Sequence, residues 1–398
     1  MSLATAYTSP FEDTATAFAS KSNEELRRIY FIFRSFNQPL LLHTGTALAN
    51  AALWLRLPVN ALIKKTVYRQ FCGGETLAEC EAVITTLARS GIKTVLQYCV
   101  ETQSSEKDFD RITAELVHAA EFAASHKAVQ AISCKFTGIA SFRLLEKIQS
   151  GGVLSESEKT ALQRVRHRMH QMCHAAEQAG IQIFFDAEES WIQQPMDELV
   201  SEMMALYNTG RAVVFNTFQL YRTDRLNYLM VSHQKAIKGK YILGAKLVRG
   251  AYLEKERIRA KRMGYPSPLH PTKQETDKAY NAALHYCLSH IHEISFYAAT
   301  HNEQSCLLVM NYLTENGLPP AHPHIYFSQL YGMGEHITYN LARLGFHATK
   351  LVPYGPVREA IPYLIRRAYE NSSVKGQVSR ELQQIEREMK RRKMKLVL

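Results

Sequence analysis

The sequence has no Cys-x-x-Cys pair, and its seven cysteines are scattered and odd in number. Neither a disulfide framework nor a thiolate zinc site is indicated, and a reducing compartment fits best. It has no His-Glu-x-x-His, no Gly-x-x-x-x-Gly-Lys-Ser/Thr and no Gly-x-Ser-x-Gly, and Gly332-Met333-Gly334 lacks a third glycine at dinucleotide spacing. P-loop, hydrolase-elbow and classical Rossmann sites are therefore unavailable. The His290/His292 and His322/His324 pairs have no nearby acidic pattern and read as loop residues, so no metal is expected. No basic start followed by an apolar run marks a signal peptide. The most hydrophobic stretch, 40–57, is interrupted by His43, Thr44, Thr46, Asn50 and Arg56, and reads as a buried helix. Low-complexity segments and repeats are not apparent.

What is present is ordinary for a folded protein: 398 residues, 46% hydrophobic and 21% charged, enough for one large barrel or sheet plus an accessory region. Charge is less balanced. The 48 Lys and Arg against 37 Asp and Glu leave a formal +11, which suits an anionic cofactor, an acidic membrane surface or nucleic acid. Part of it lies in Lys390-Arg391-Arg392-Lys393, beside Leu396-Val397-Leu398. That tail reads as a frayed, solvated helix end or as a lipid-surface anchor.

Residues 1–90 read as helical, with Glu24–Arg28, the 40–57 stretch and Leu77–Leu87 as helices, broken at Pro39, Pro58 and Gly73-Gly74. From Gly91 on, short β-branched or aromatic runs alternate with polar helical segments. The runs are Thr94–Val100, Val129–Phe136, Ile181–Ala187, Val213–Leu220, Leu243–Arg249, Ile294–Thr300, Ile325–Gln329 and Ala348–Val352. Connections long enough for a crossover helix require parallel pairing. Eight such units predict a (βα)8 barrel over 91–375, and 376–398 forms a basic C-terminal helix or tail.

In such a barrel the site collects at the C-terminal strand ends. These offer Lys135; Asp186 with Glu188 and Glu189; Asn216 and Gln219; Lys246 and Arg249 before Gly250; His301-Asn302; Gln329 with Tyr331; and Tyr354. Lys135 and Asp186 fall on neighbouring strands, where they could shape a substrate pocket, hold a substrate amine or form a structural ion pair. Lys246 to Tyr252 places two cations and a glycine where an anionic cofactor could approach the backbone. The last barrel helix, from Pro356 to about Asn371, puts Ile361, Leu364, Ile365 and Ala368 on one face, with Tyr363, Arg366, Arg367 and Glu370 opposite. That second face reads either as solvated surface or, with two guanidinium forks beside an aromatic ring, as a carboxylate receptor.

Asp186–Glu188, Phe215–Gln219, Lys246–Tyr252, Ala299–Asn302, Gln329–Met333 and Tyr363–Asn371, in that order, resemble the proline dehydrogenase family over about residues 70 to 375. The resemblance is to its monofunctional, eukaryotic-like branch. It implies a distorted (βα)8 barrel with the final helix over the mouth, and a noncovalent FAD that takes hydride from L-proline to give pyrroline-5-carboxylate. Carried over residue by residue, it makes Asp186, Lys246 and Lys135 catalytic, with Lys135 paired to Asp186 beneath the substrate. Arg366 and Arg367 become the carboxylate clamp, Tyr363 packs on the ring, and Tyr252 and Leu351 lie near the substrate. The flavin would be held by Ala187, Asn216, Lys246, Arg249, Gly250, Ala251, His301, Asn302, Gln329, Leu330 and Glu370.

The chain departs from many members of that family at two places. Lys246 stands where many bacterial members carry Arg, and Leu351 where many carry Tyr, which leaves 4-hydroxyproline open as an alternative substrate. The resemblance also implies a membrane quinone as acceptor, with peripheral contact to anionic lipid and no nucleic acid. The expected location is the cytoplasm, or the inner face of the membrane as a peripheral protein. The rivals are a flavin-free barrel enzyme using a phosphate-bearing substrate and a non-enzymatic membrane or nucleic-acid binder.

Overall fold

The computed structural model describes residues 9–36, 38, 44, 60–100, 103–373 and 377–394, without the side chains of 370–379. Apart from Thr44, the predicted 40–57 helix lies outside the described residues, as does the apolar 396–398 end.

Each predicted run coincides with one strand: β1 Lys93–Tyr98, β2 Val129–Lys135, β3 Gln182–Asp186, β4 Val214–Gln219, β5 Leu243–Val248, β6 Ile294–Ala299, β7 Ile325–Leu330 and β8 Ala348–Tyr354. They pair in parallel in sequence order and close through β8 and β1, forming the expected barrel. The largest adjustments are at the ends of β1, which stops at Tyr98 instead of Val100, and β8, which runs to Tyr354 instead of Val352.

The main helices are α1 Asn23–Phe36 and α2 Leu77–Ala88 before the barrel, then α3 Glu106–Ser125, α4 Glu156–Gln178, α5 Gln193–Tyr207, α6 Arg225–Gly239, α7 Leu253–Met263, α8 Lys273–Ser289, α9 Glu303–Glu315, α10 Glu335–Arg343, α11 Val357–Ser373 and α12 Gln377–Arg391. Several of them start at side chains that satisfy otherwise orphaned N–H groups. Ser155 with Glu158 and Thr272 with Glu275 form capping boxes at α4 and α8. Asn302 caps α9 by accepting from the Ser305 N–H at 3.0 Å.

Alternation along each strand divides the core in two. Outward residues such as Ile183, Phe185, Val214 and Phe218 pack under the helices. Inward ones fill the barrel: Phe184 meets Phe215 edge-on at 5.5 Å and Tyr297 at 4.6 Å, and Tyr326 stacks on Tyr297 at 4.5 Å. This aromatic plug makes the floor of the mouth, and burying each ring contributes about 1.5–3 kcal/mol. All seven cysteines are free and buried, five of them in the layer under the helices and Cys72 and Cys99 in the cluster over the mouth. Burial pushes the Cys80 and Cys306 thiols up to about 12.

A third layer covers the mouth. Tyr363, Leu364 and Ala368 of α11 and Ile385 and Met389 of α12 share one cluster with Leu26, Ile29 and Phe33 of α1. The segment before α2 is fastened to the strand ends by Tyr68, whose Oη lies 2.5 Å from the Gly74 carbonyl and 2.6 Å from that of Gly355. Gln70 Nε2 donates to the Gly332 carbonyl at 2.9 Å. A side chain at Gly332, whose φ is +78°, would place Cβ 2.0 Å from the Gln70 carbonyl oxygen, so this close approach requires glycine.

The basic tail is not a frayed, solvated end over its described part, where it packs against the N-terminal region. Arg380 and Arg387 bind Glu12, and Arg380 also binds Glu303. Arg391 and Arg392 both bind the buried Glu388, and Arg392 also donates to the carbonyls of Lys21 at 2.7 Å and Phe18 at 2.8 Å. Lys390 and Lys393 stay exposed. Among the described residues, no helix is long and apolar enough to cross a membrane.

Candidate active site

The centre of the mouth is an ion pair between strands that are not neighbours. Asp186 Oδ1 accepts from Lys246 Nζ at 2.6 Å, while its Oδ2 accepts from Gln97 Nε2 at 2.7 Å and Ser133 Oγ at 2.9 Å. The two charged side chains are 14% and 8% exposed. Gln97, Asp186 and Lys246 come from β1, β3 and β5, as the layered interior of such barrels dictates, with alternate strands filling one level. Lys246 Nζ also lies 5.2 Å from the Phe184 ring centroid, so the pair rests on the aromatic floor.

This geometry revises the expected Lys135–Asp186 pair. Lys135 is the register neighbour of Asp186 on β2, but the ammonium held against that carboxylate is that of Lys246. The Lys135 charge also reaches Glu188. Thr137 grips that carboxylate through its N–H and its Oγ1, each at 2.8 Å. Burial nevertheless pushes Glu188 up to about 7, against the Lys135 charge and the Thr137 bonds, which pull it down.

Alternation also separates the predicted flavin contacts. Asn216 and Gln329 project outward from β4 and β7. Asn216, 2% exposed, donates to Asp197 at 2.9 Å. Gln329 donates to the Thr300 carbonyl at 2.9 Å and accepts from Thr338 at 2.8 Å. Both amides serve the sheet–helix interface and do not open into the mouth. Asn302 uses its side-chain oxygen as the α9 cap described above. Arg249 is anchored by Asp277 at 2.6 Å, Thr300 at 2.6 Å and Ser305 at 3.1 Å, over the Tyr280 ring.

Other predicted residues do ring the mouth. The half-buried Ala187 follows Asp186 on the β3 end. Ala251 N–H donates to Gln219 Oε1 at 3.3 Å, and the half-buried Tyr252 starts α7. Leu351, 6% exposed, belongs to the interior aromatic cluster, and Leu330 packs against it. On α11, Arg366 and Arg367 are half-buried, with the Arg367 guanidinium 5.4 Å from the Tyr363 ring centroid. Tyr363 itself is 4% exposed and lies in the apolar cluster shared with α1. Its predicted separation from the apolar face fails because α11 is covered on more than one side. The Glu370 side chain lies outside the described residues.

A family model described as proline dehydrogenase matches residues 80–380. The chain belongs to the proline dehydrogenase family. That makes it an oxidoreductase acting on a CH–NH group. Proline dehydrogenase 1, mitochondrial, of Dictyostelium discoideum is 30% identical over 96% of this chain and 74% of its own length. The human proline dehydrogenase 1, mitochondrial, is 37% identical over 60% of this chain and 40% of its own. The carbapenem antibiotics biosynthesis protein CarD of Pectobacterium carotovorum is 35% identical over 81% of this chain and 83% of its own. Among solved structures, proline utilization A from Bdellovibrio bacteriovorus, inactivated by N-propargylglycine, superposes with a TM-score of 0.71 at 20% identity. That alignment covers 91% of this chain but only 38% of the solved one, a likeness of fold.

The mouth of this proline dehydrogenase family member carries polar groups left open for a ligand. His301 Nε2 accepts from the Leu330 N–H at 3.2 Å, which puts the ring proton on Nδ1, and that atom is buried without a hydrogen-bond partner. Burial, with the charges of Lys350 and Arg367, holds the imidazole far below its usual pKa and therefore neutral. Thr217 Oγ1, inward on β4, is a second buried polar atom without a partner. Gly250 has φ +137°, and a Cβ there would strike the Tyr221 ring at 2.5 Å, so the backbone at the β5 end stays bare beside Lys246 and Arg249. Sequence reasoning does not single out Gln97, Ser133 or Thr217. Thr217 was legible, since it shares the inward parity of Phe215.

Proposed function

We propose that the chain oxidises L-proline to pyrroline-5-carboxylate with a noncovalent FAD, as the first step of proline catabolism, and delivers the electrons to a quinone. The observation that carries this reading is the buried Asp186–Lys246 pair beneath a helix bearing Arg366 and Arg367, in a chain of the proline dehydrogenase family. Bound FAD would supply the hydride acceptor. The residues best suited to hold it are Ala187, Lys246, Arg249, Gly250, Ala251, His301 and Leu330, with Thr217 as an addition to the predicted set. His301 Nδ1–H is a ready donor to an uncharged ring, and the bare Gly250 backbone admits an anionic group.

Arg366 and Arg367 would bind the substrate carboxylate, and α11 would exclude water above it. Asp186, oriented by three donors, and Lys246 would fix the charge under the substrate ring, with Lys135 at its edge. Tyr252, Tyr363 and Leu351 would wall the ring. Because Leu351 offers no polar atom, 4-hydroxyproline should be a second substrate, as an apolar wall discriminates against an added hydroxyl by only about 100-fold.

The test is spectroscopic. The purified full chain should carry a flavin absorption band that L-proline bleaches and a soluble quinone analogue restores. Absence of flavin, or a flavin indifferent to proline, would overturn the reading. Brisk NAD reduction without quinone reduction would overturn the acceptor alone. Peripheral lipid contact rests on the exposed Lys390 and Lys393, with about 1 kcal/mol expected per basic residue near an anionic surface. Co-sedimentation with anionic vesicles should fall in a Lys390→Glu/Lys393→Glu variant, and equal sedimentation would remove the tail as an anchor.

A further inference from the structure

His301 is wrapped by the turn that joins β7 to α10. Its Nε2 accepts from the Leu330 N–H at 3.2 Å, and a Cβ at Gly334, whose φ is +63°, would lie 2.8 Å from its Nδ1. The turn from Leu330 to Gly334 therefore touches the imidazole at both ring nitrogens. Moved inward it would press on Nδ1, and moved outward it would release Nε2. The tautomer that keeps a proton on Nδ1 depends on where this turn stands.

Two buried charges pin the turn. Leu351 belongs to the barrel interior, so Lys350 projects outward from β8, and it is fully buried. Its Nζ donates to the Leu330 carbonyl at 3.3 Å and to that of Met333, and it pairs with Glu335 at 3.3 Å. The same ammonium helps to hold the imidazole neutral. From α12, the buried Glu381 accepts from the Gly334 N–H. Arg380, the residue before it, holds Glu303 at 2.7 Å, two positions past His301. Consecutive residues of α12 thus tie down the backbone on both sides of the imidazole.

Stability alone is a poor reason for these charges, because apolar residues of similar volume commonly serve a core as well as buried ions do. What the ions add is definite placement. Lys350 links two carbonyls three residues apart, and Glu381 takes the N–H that follows. We propose that Lys350 and Glu381 are positioning residues of the flavin site: they fix the Leu330–Gly334 turn, which holds His301 with its proton on Nδ1. The last helix is thereby part of the cofactor pocket, although none of the residues assigned to FAD stands on it. An error of about 1 Å at a binding group can cost about 100-fold, which is the scale on which such pins matter. The assignment rests on the FAD reading given above for its ligand, whereas the tautomer is a property of the chain itself.

The test uses the full chain, loaded with FAD and carrying isotope-labelled histidine. The His301 ring, identified by the signals missing in His301→Asn, should show the Nδ1–H tautomer in a long-range proton–nitrogen correlation spectrum. Glu381→Ala should move it towards the Nε2–H form and weaken FAD binding by about tenfold or more, the scale of one hydrogen bond to a charged group. Glu381→Gln keeps an acceptor for the Gly334 N–H and should stay close to wild type in both measurements. Lys350→Met should behave as Glu381→Ala does. Circular dichroism establishes which variants fold, and if Lys350→Met does not, the two Glu381 variants decide. An unchanged tautomer in Glu381→Ala would overturn the proposal, whatever the affinity, and so would equal losses in Glu381→Ala and Glu381→Gln. A chain that binds no flavin would overturn the functional reading, and the tautomer comparison would still decide this one.

Discussion

Lys246 of β5 reaches Asp186 of β3 at 2.6 Å across the barrel mouth, passing over the strand that lies between them. Because Gln97 and Ser133 hold the other carboxylate oxygen, the pair is one rigid unit and its members should not act independently. Asp186→Asn and Lys246→Met should each lower kcat sharply. The double variant should lose less than the sum, with a coupling of about 0.5–3 kcal/mol. Strictly additive losses in steady-state proline oxidation would show two separate roles.

Arg366→Ala or Arg367→Ala should leave flavin content intact while raising the proline KM. Removing one partner of a desolvated charge pair costs about 2–5 kcal/mol, so kcat/KM should fall by about 30-fold or more. Unchanged saturation curves in both variants would return these arginines to a purely structural position.

Glu188 predicts a pH dependence of stability. Its carboxyl titrates at about 7 in the folded chain against an ordinary 4.5, so the folded state binds the proton more tightly. Its stabilising contribution is complete below pH 4.5 and is lost as pH rises through 7. In Glu188→Gln the fall in Tm between pH 5 and about 8 should flatten. A slope equal to that of the wild type would show that Glu188 is not the group responsible.

Glu303 acts in the opposite direction. Burial raises its pKa, but hydrogen bonds from His336 and Arg380 outweigh this and hold it at about 2. Its contribution is therefore present above pH 4.5 and lost as pH falls towards 2. Glu303→Gln should lower Tm at neutral pH and blunt the acid arm of the profile. Since Arg380 carries this link to α12, Arg380→Gln should reproduce the effect.

The barrel was legible because each strand leaves a short β-branched or aromatic run between amphipathic helices, and that periodicity belongs to the local chain. Which strand-end residues share a pocket depends on inward or outward parity and on closure of the sheet. Asn216 and Gln329 were misplaced by one step of alternation. Asp186 was matched to its sequence-order neighbour Lys135, because only the closed barrel brings β5 opposite β3. The basic tail misled for a different reason: Arg391 and Arg392 pair locally with Glu388, but Arg380 and Arg387 find their carboxylates at Glu12 and Glu303, far away in sequence, and no local pattern announces those partners. Tyr363 failed similarly, since a helix covered on more than one side has no single apolar stripe.

The seven buried thiols turn the chain into its own gauge of opening. Cys80 lies on α2, Cys173 on α4, Cys287 on α8 and Cys306 on α9, so these four sample separate sectors of the barrel wall. With the thiolates of these four suppressed by burial, a mild alkylating reagent at neutral pH marks one of them only while its sector is transiently unpacked. The order in which these four are labelled would therefore trace which part of the wall loosens first, without any probe being engineered into the protein.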